Sequence, residues 1–190
     1  MRNCQIYGAG IACMNTPMTY LIILRGPKGS GKTEVSQKLK ERLYGKHKNR
    51  IYFLKPEEIN DERFKKDLDE ALDKSYKYVI AELNYGESHS TDSITHWLEC
   101  FKDKHYEIVS FVLVGGKEIR LQRCKNDPKR NPFDIIDEHF FNHDSEIFER
   151  LERDGGFQKK FGVPEITLNT ENKSPSQVTD EILSTIFNKK

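Results

Sequence analysis

Apolar residues are distributed along the chain in two alternating ways. Compact apolar runs occupy 21–24, 51–54 and 78–81, and longer or mixed strand patterns occupy 106–114 and 165–168. Bounded by glycine, proline or polar residues, such runs read as buried strands. Between them apolar residues recur three and four positions apart, the period of a helix with one buried face. Val35, Leu39 and Leu43 mark a helix over 32–44, and Phe64, Leu68, Ala71 and Leu72 one over 61–74. Ile94, Trp97, Leu98 and Phe101 mark 91–102, a short helix is expected over 117–125, and Ile136, Phe140, Ile147 and Leu151 mark 133–153. Ile182, Leu183, Ile186 and Phe187 form the face of a closing helix. Punctuation agrees. Gly45 is expected to end the first helix and Gly155-Gly156 the long one, while Ser174-Pro175 supplies an N-cap and a first-turn proline. Five strands alternating with helices predict a mostly parallel sheet covered on both faces, a three-layer α/β/α arrangement. No repeat or low-complexity linker divides it, so 18–190 reads as one domain. Residues 1–17 show no sustained period and are expected to be a poorly ordered or dispensable leader, with an extra edge strand or arm as the alternative.

The junction between the first strand and first helix carries the strongest chemical signal. It reads Gly26, Pro27, Lys28, Gly29, Ser30, Gly31, Lys32, Thr33. This is the G-x-x-x-x-G-K-[ST] phosphate-binding loop with a strand before it and a helix after it. Its glycines allow a tight turn whose N–H groups approach phosphate oxygens. The following helix adds its N-terminal N–H groups and the positive end of its dipole. Lys32 offers a charge to the β- and γ-phosphates, and Thr33 a hydroxyl to Mg²⁺. ATP and Mg²⁺ are therefore the expected cofactors. No N-K-x-D guanine reader and no D-x-x-G switch segment occurs, which weighs against a GTPase.

Composition narrows the partners. Of the 190 residues 36% are hydrophobic and 32% charged, and the formal net charge is +1, so bulk charge favours neither nucleic acid nor a membrane surface. No apolar run approaches the length of a membrane span. The four cysteines, at positions 4, 13, 100 and 124, form no C-x-x-C pair and no zinc spacing. With no secretory signal pattern, a cytoplasmic protein is expected. His139 and His143 lie four apart without the glutamate of a zinc-protease helix and read as solvated.

Carboxylates follow two strands, Glu57-Glu58 after the second and Glu82 after the third. Ligands bind at the carboxyl ends of the strands in open α/β sheets. Later, Arg120, Arg123, Lys125, Lys129 and Arg130 crowd together around Pro128 and Pro132. A cationic lid over about 120–133, with Arg123 and Arg130 facing the transferred group, fits the charge that develops in phosphoryl transfer. In their order these motifs resemble the small P-loop kinases of the polynucleotide 5′-kinase and zeta-toxin-like group. The matching segments are the 26–33 loop, the strand and acids at 51–58, Val79-Ile80-Ala81-Glu82-Leu83-Asn84, the basic stretch 123–130 and Pro132-Phe133-Asp134-Ile135-Ile136. The resemblance implies an α/β P-loop NTPase fold with a basic lid. It further implies a phosphotransferase that moves the γ-phosphoryl group of ATP·Mg²⁺ to a hydroxyl or phosphate of a small metabolite, nucleotide or nucleic-acid 5′ end. By that resemblance Glu57, or else Glu58, is the base, and Glu82 is an outer-shell partner of Mg²⁺. Asn84 and Tyr85 are candidates for the acceptor pocket. Asn60 stands where the group carries a substrate-holding arginine, which keeps an ATP-binding switch without an acceptor as the alternative reading.

Overall fold

The computed structural model describes residues 19–46, 51–54, 62–74, 76–83, 91–127 and 136–188. Five strands form one sheet in the order β2-β3-β1-β4-β5: β1 Thr19–Arg25, β2 Ile51–Leu54, β3 Tyr78–Leu83, β4 Tyr106–Val114 and β5 Glu165–Asn169. Every pairing is parallel, so the sheet is wholly rather than mostly so. Parallel strands need crossovers, and helices supply them: α1 Lys32–Lys46, α2 Glu62–Asp73, α3 Thr91–Asp103, α4 Lys117–Lys125, α5 Glu138–Arg153, α6 Gly156–Phe161 and α7 Pro175–Asn188.

Strand pleating divides the core in two. Leu21 and Ile23 of β1 and Val79, Ala81 and Leu83 of β3 point to one face, packed with Leu68, Ala71, Trp97, Phe101, Phe157 and Phe161. Tyr20, Ile22 and Leu24 of β1 and Tyr78 and Ile80 of β3 point to the other, against Val35, Leu39 and Leu43 of α1 and Val178, Ile182 and Ile186 of α7. β1 is the central strand, buried from Tyr20 onward. Its parity sends Arg25 to the first face. The same parity in β3 sends Glu82 to the α1 face.

Three local expectations are corrected. Gly45 does not end α1, which runs to Lys46; a glycine near a helix end costs only about 1 kcal/mol relative to alanine. α5 begins at Glu138, because the Asp137 side chain accepts the N–H groups of His139 and Phe140 and so caps the helix there. Its buried face is Phe141, Ser145 and Phe148, while Phe140, expected inside, is 66% exposed. Gly155-Gly156 ends α5 and also opens α6, a short helix with Phe157 and Phe161 buried that the periodicity did not reveal. Ser174 caps α7 as expected, its Oγ accepting from Gln177 N at 3.3 Å. Trp97 is a core residue, 1% exposed. No helix among the described residues is long and apolar enough to cross a membrane.

Candidate active site

The phosphate loop leaves the carboxyl end of β1 and turns into α1. The turn is sterically exacting. Gly26 has φ +148°, and a Cβ there would fall 2.3 Å from the Leu113 carbonyl oxygen and 2.7 Å from Ser30 Oγ. Gly29 has φ +78°, and its Cβ would fall 2.4 Å from the Arg120 carbonyl oxygen. Neighbouring backbone thus closes around the loop so tightly that only glycine fits at these two positions.

The loop carbonyls are held by named donors. Lys32 Nζ donates to Gly26 O at 2.8 Å and to Pro27 O at 3.3 Å. Arg120 donates to Lys28 O at 3.1 Å. Thr170 Oγ1, in the turn after β5, lies 3.3 Å from Ser30 O and 3.0 Å from Val114 O. A trans peptide plane points its C=O and N–H in opposite directions, so securing the carbonyls orients the N–H groups. Ser30 Oγ is fully buried in the loop and meets no hydrogen-bond partner among the described residues. A concave loop of oriented amides with an unsatisfied hydroxyl and a lysine fits the phosphate chain of a nucleotide.

Beside it, the structure brings Thr33 and Glu82 together. β1 and β3 pair in register, Leu24 opposite Glu82, so Glu82 lies beneath the start of α1. Thr33 Oγ1 donates to one carboxylate oxygen at 2.8 Å, and Ser36 Oγ donates to the other. Glu82 is 8% exposed. A hydroxyl and a carboxylate form an oxygen-only donor set that fits Mg²⁺ carried by a nucleotide. Ser36 was no candidate in the sequence, although its place three residues after Thr33 on one helix face was a usable signal.

Basic residues of α4 divide. Arg120, 3% exposed, donates through Nε to Gly115 O at 3.0 Å and through both terminal nitrogens to Ser145 Oγ, and its guanidinium lies 5.3 Å from the Phe141 ring. Burial lowers its pKa from the ordinary arginine value. Arg123, expected in a lid, places its guanidinium on the turn after β5, donating to Thr170 Oγ1 at 3.0 Å, to Thr170 O at 2.5 Å and to Glu171 O at 3.3 Å. Glu57, Glu58, Asn84, Tyr85 and Arg130 lie outside the described residues, as does the leader. His139 and His143 are exposed, and among the described residues no group of three or more His, Cys, Asp or Glu is placed to hold a metal.

Arg25, immediately before Gly26, was also missed. It is wholly buried, with Nε 2.8 Å and Nη2 3.1 Å from the two oxygens of Glu165, and Nη2 2.5 Å from Glu152. The Phe148 and Phe157 rings lie 5.6 and 5.3 Å from it. Burial would lower its pKa, but the hydrogen bonds to Glu165 and Glu152 outweigh that and raise it. A charge closing an otherwise apolar strand was the signal.

No protein-family model matches the chain, and no curated protein does. Solved structures do match. A shikimate kinase from Acinetobacter baumannii, in complex with shikimate, superposes with a TM-score of 0.51 at 20% identity, covering 92% of this chain and 96% of that one. A deoxyadenosine kinase from M. mycoides gives 0.53 at 15% identity, covering 90% and 100%. A gluconokinase from Sinorhizobium meliloti gives 0.54 at 11% identity, covering 90% and 93%. All three are 20% identical or less and show a shared fold, while the likeness to the polynucleotide 5′-kinase and zeta-toxin group rests on the sequence motifs. With its parallel β2-β3-β1-β4-β5 sheet and the loop at the carboxyl end of β1, the chain has the α/β fold of the P-loop NTPase kinases.

Proposed function

We propose that the protein is an ATP-dependent phosphotransferase acting on a small hydroxyl- or phosphate-bearing acceptor. The observation that carries this reading is the convergence of Lys32, Thr33 and Glu82 at the carboxyl ends of β1 and β3, beside the oriented carbonyls of the loop. In this reading Gly26 to Thr33 cradle the phosphate chain, and Lys32 exchanges its loop carbonyls for phosphate oxygens. Thr33 would hold Mg²⁺ with Glu82 as its outer-shell partner, and the ion when bound would neutralise phosphate charge. An acceptor oxygen attacks the γ-phosphorus, the bond to the ADP oxygen breaks, and the acceptor proton passes to Glu57, with Glu58 as the alternative base. Arg123 and Arg130 are the proposed cations over the transferring group; Arg123 reaches it only by releasing Thr170. Asn84 and Tyr85 are the proposed acceptor-binding residues. The neighbours, a shikimate kinase, a deoxyadenosine kinase and a gluconokinase, make acceptors of that small size the first to try.

The deciding experiment is ATP turnover with Mg²⁺ against a panel of nucleosides, nucleotides, 5′-hydroxyl oligonucleotides and sugar acids. Stimulation by one class is expected and names the acceptor. Slow hydrolysis that no acceptor stimulates would replace the kinase with an ATP-driven switch. Within the same assay Glu82→Gln is expected to weaken Mg²⁺ affinity by about 10–100-fold, the range for losing a supporting carboxylate at a metal. An unchanged Mg²⁺ midpoint would remove Glu82 from the metal site.

A further inference from the structure

α5 carries one small unit twice. A phenylalanine followed four residues later by a hydrogen-bonding oxygen occurs as Phe141 with Ser145, and again as Phe148 with Glu152. Helical spacing puts all four on one face. Each unit clasps one buried arginine. Phe141 lies against Arg120, 5.3 Å from ring centre to guanidinium, while Ser145 Oγ accepts from its terminal nitrogens at 3.3 and 3.2 Å. Phe148 lies 5.6 Å from Arg25, and Glu152 accepts from it at 2.5 Å. Both arginines belong to the phosphate loop's support. Arg25 directly precedes Gly26, and Arg120 holds Lys28 O at 3.1 Å.

We infer that α5 is a positioning element for the phosphate loop, and that Ser145, through Arg120, holds the Lys28–Gly29 peptide with its carbonyl outward and its N–H toward the bound phosphate. The inference rests on the phosphate-binding reading of the loop. Two details favour it. Ser145 gives its own proton to Phe141 O at 2.8 Å, which leaves its lone pairs for the guanidinium. The Arg120 carbonyl closes on Gly29 from the same side, 2.4 Å from where a Cβ would stand, so side chain and backbone of Arg120 grip one peptide. Because that peptide is planar and rigid, a carbonyl pulled one way sends the next N–H the other way.

The test uses Ser145→Ala in the full chain, with calorimetric titration of ATP, tripolyphosphate and adenosine in Mg²⁺. Loss of a hydrogen bond to a charged group is expected to weaken both polyphosphate ligands by about ten- to a hundredfold, with adenosine unchanged. Ser145→Thr, which keeps the acceptor oxygen, should recover most of the affinity. Equal ATP affinity in Ser145→Ala and the natural chain would overturn the inference. So would an equal loss for adenosine, the mark of general loosening. Should the natural chain bind neither polyphosphate, the phosphate-binding reading itself fails, and the tether is judged on the ligand-free protein. There a fall of the Gly29 amide order parameter from about 0.85 to below about 0.6 in Ser145→Ala supports it, and an unchanged value overturns it. Arg120→Gln repeats the comparison if Ser145→Ala does not fold.

Discussion

Arg25→Met is expected to destabilise the protein by about 3 kcal/mol, the lower end of the range for removing one partner of a buried ion pair. The cost arises mainly at Glu165. That carboxylate is 9% exposed and meets Arg25 through both oxygens, with Ser110 Oγ as a further donor at 2.8 Å. Without the guanidinium it is left buried with neutral donors in place of a cation. Glu152 is 31% exposed and can turn to water, so it adds less. Methionine retains much of the contact with the Phe148 and Phe157 rings, which confines the measurement to charge. In urea unfolding the midpoint should fall with no change in slope, and for a chain of this size melting should drop by about 6–12 °C. Arg25→Met with Glu165→Gln should recover part of the loss. A cost under about 1 kcal/mol, the level of an exposed pair, would show that the network contributes little.

Lys32→Ala is the complementary case, with a large effect on turnover and a small one on folding. Removing one preorganised charge from a phosphoryl-transfer site is expected to lower turnover by about 10²–10³-fold. By transition-state arithmetic that is about 3–4 kcal/mol, similar in size to the Arg25 effect but confined to the reaction. In the protein alone the lysine donates to Gly26 O and Pro27 O, carbonyls of its own loop rather than of the hydrophobic core. Circular dichroism and melting should therefore change little. Unaltered ATP affinity and turnover in this variant would remove the phosphate-loop reading, and with it the proposed kinase.

The two substitutions also separate what a sequence shows from what it conceals. Lys32 was evident at once, because the phosphate loop is a local device in which neighbouring residues of one turn do the chemistry. Arg25 is seven positions earlier and belongs to no such local device. Its partners, Glu152 and Glu165, are more than a hundred residues away, and no pattern in a single chain announces a contact at that separation. Arg120 shows the same limit in another form. In the sequence it belonged to a basic cluster, and charge clusters usually face solvent. In the fold it is buried behind the loop while Arg123, three residues on, holds the turn after β5.

α5 illustrates how narrowly periodicity can miss. Phe140 and Phe141 are adjacent and equally apolar, and both fit a three-and-four spacing. Packing chose Phe141, because it stacks on Arg120, and left Phe140 exposed. The strands were safer. β4 was expected over 106–114 and lies at Tyr106–Val114, where the buried run Val109 to Leu113 carries the signal of a strand covered on both faces. By itself, then, the sequence determined the alternation of strands and helices, the covered parallel sheet and the phosphate loop, all of which follow from local pattern and local chemistry. Tertiary structure alone decided which charges are buried, that Thr33 and Ser36 share Glu82, and that α5 reaches the loop through two arginines. These depend on side chains distant in sequence meeting across a strand order that connects β1 to β3 and β4, and that order is set by packing rather than by succession.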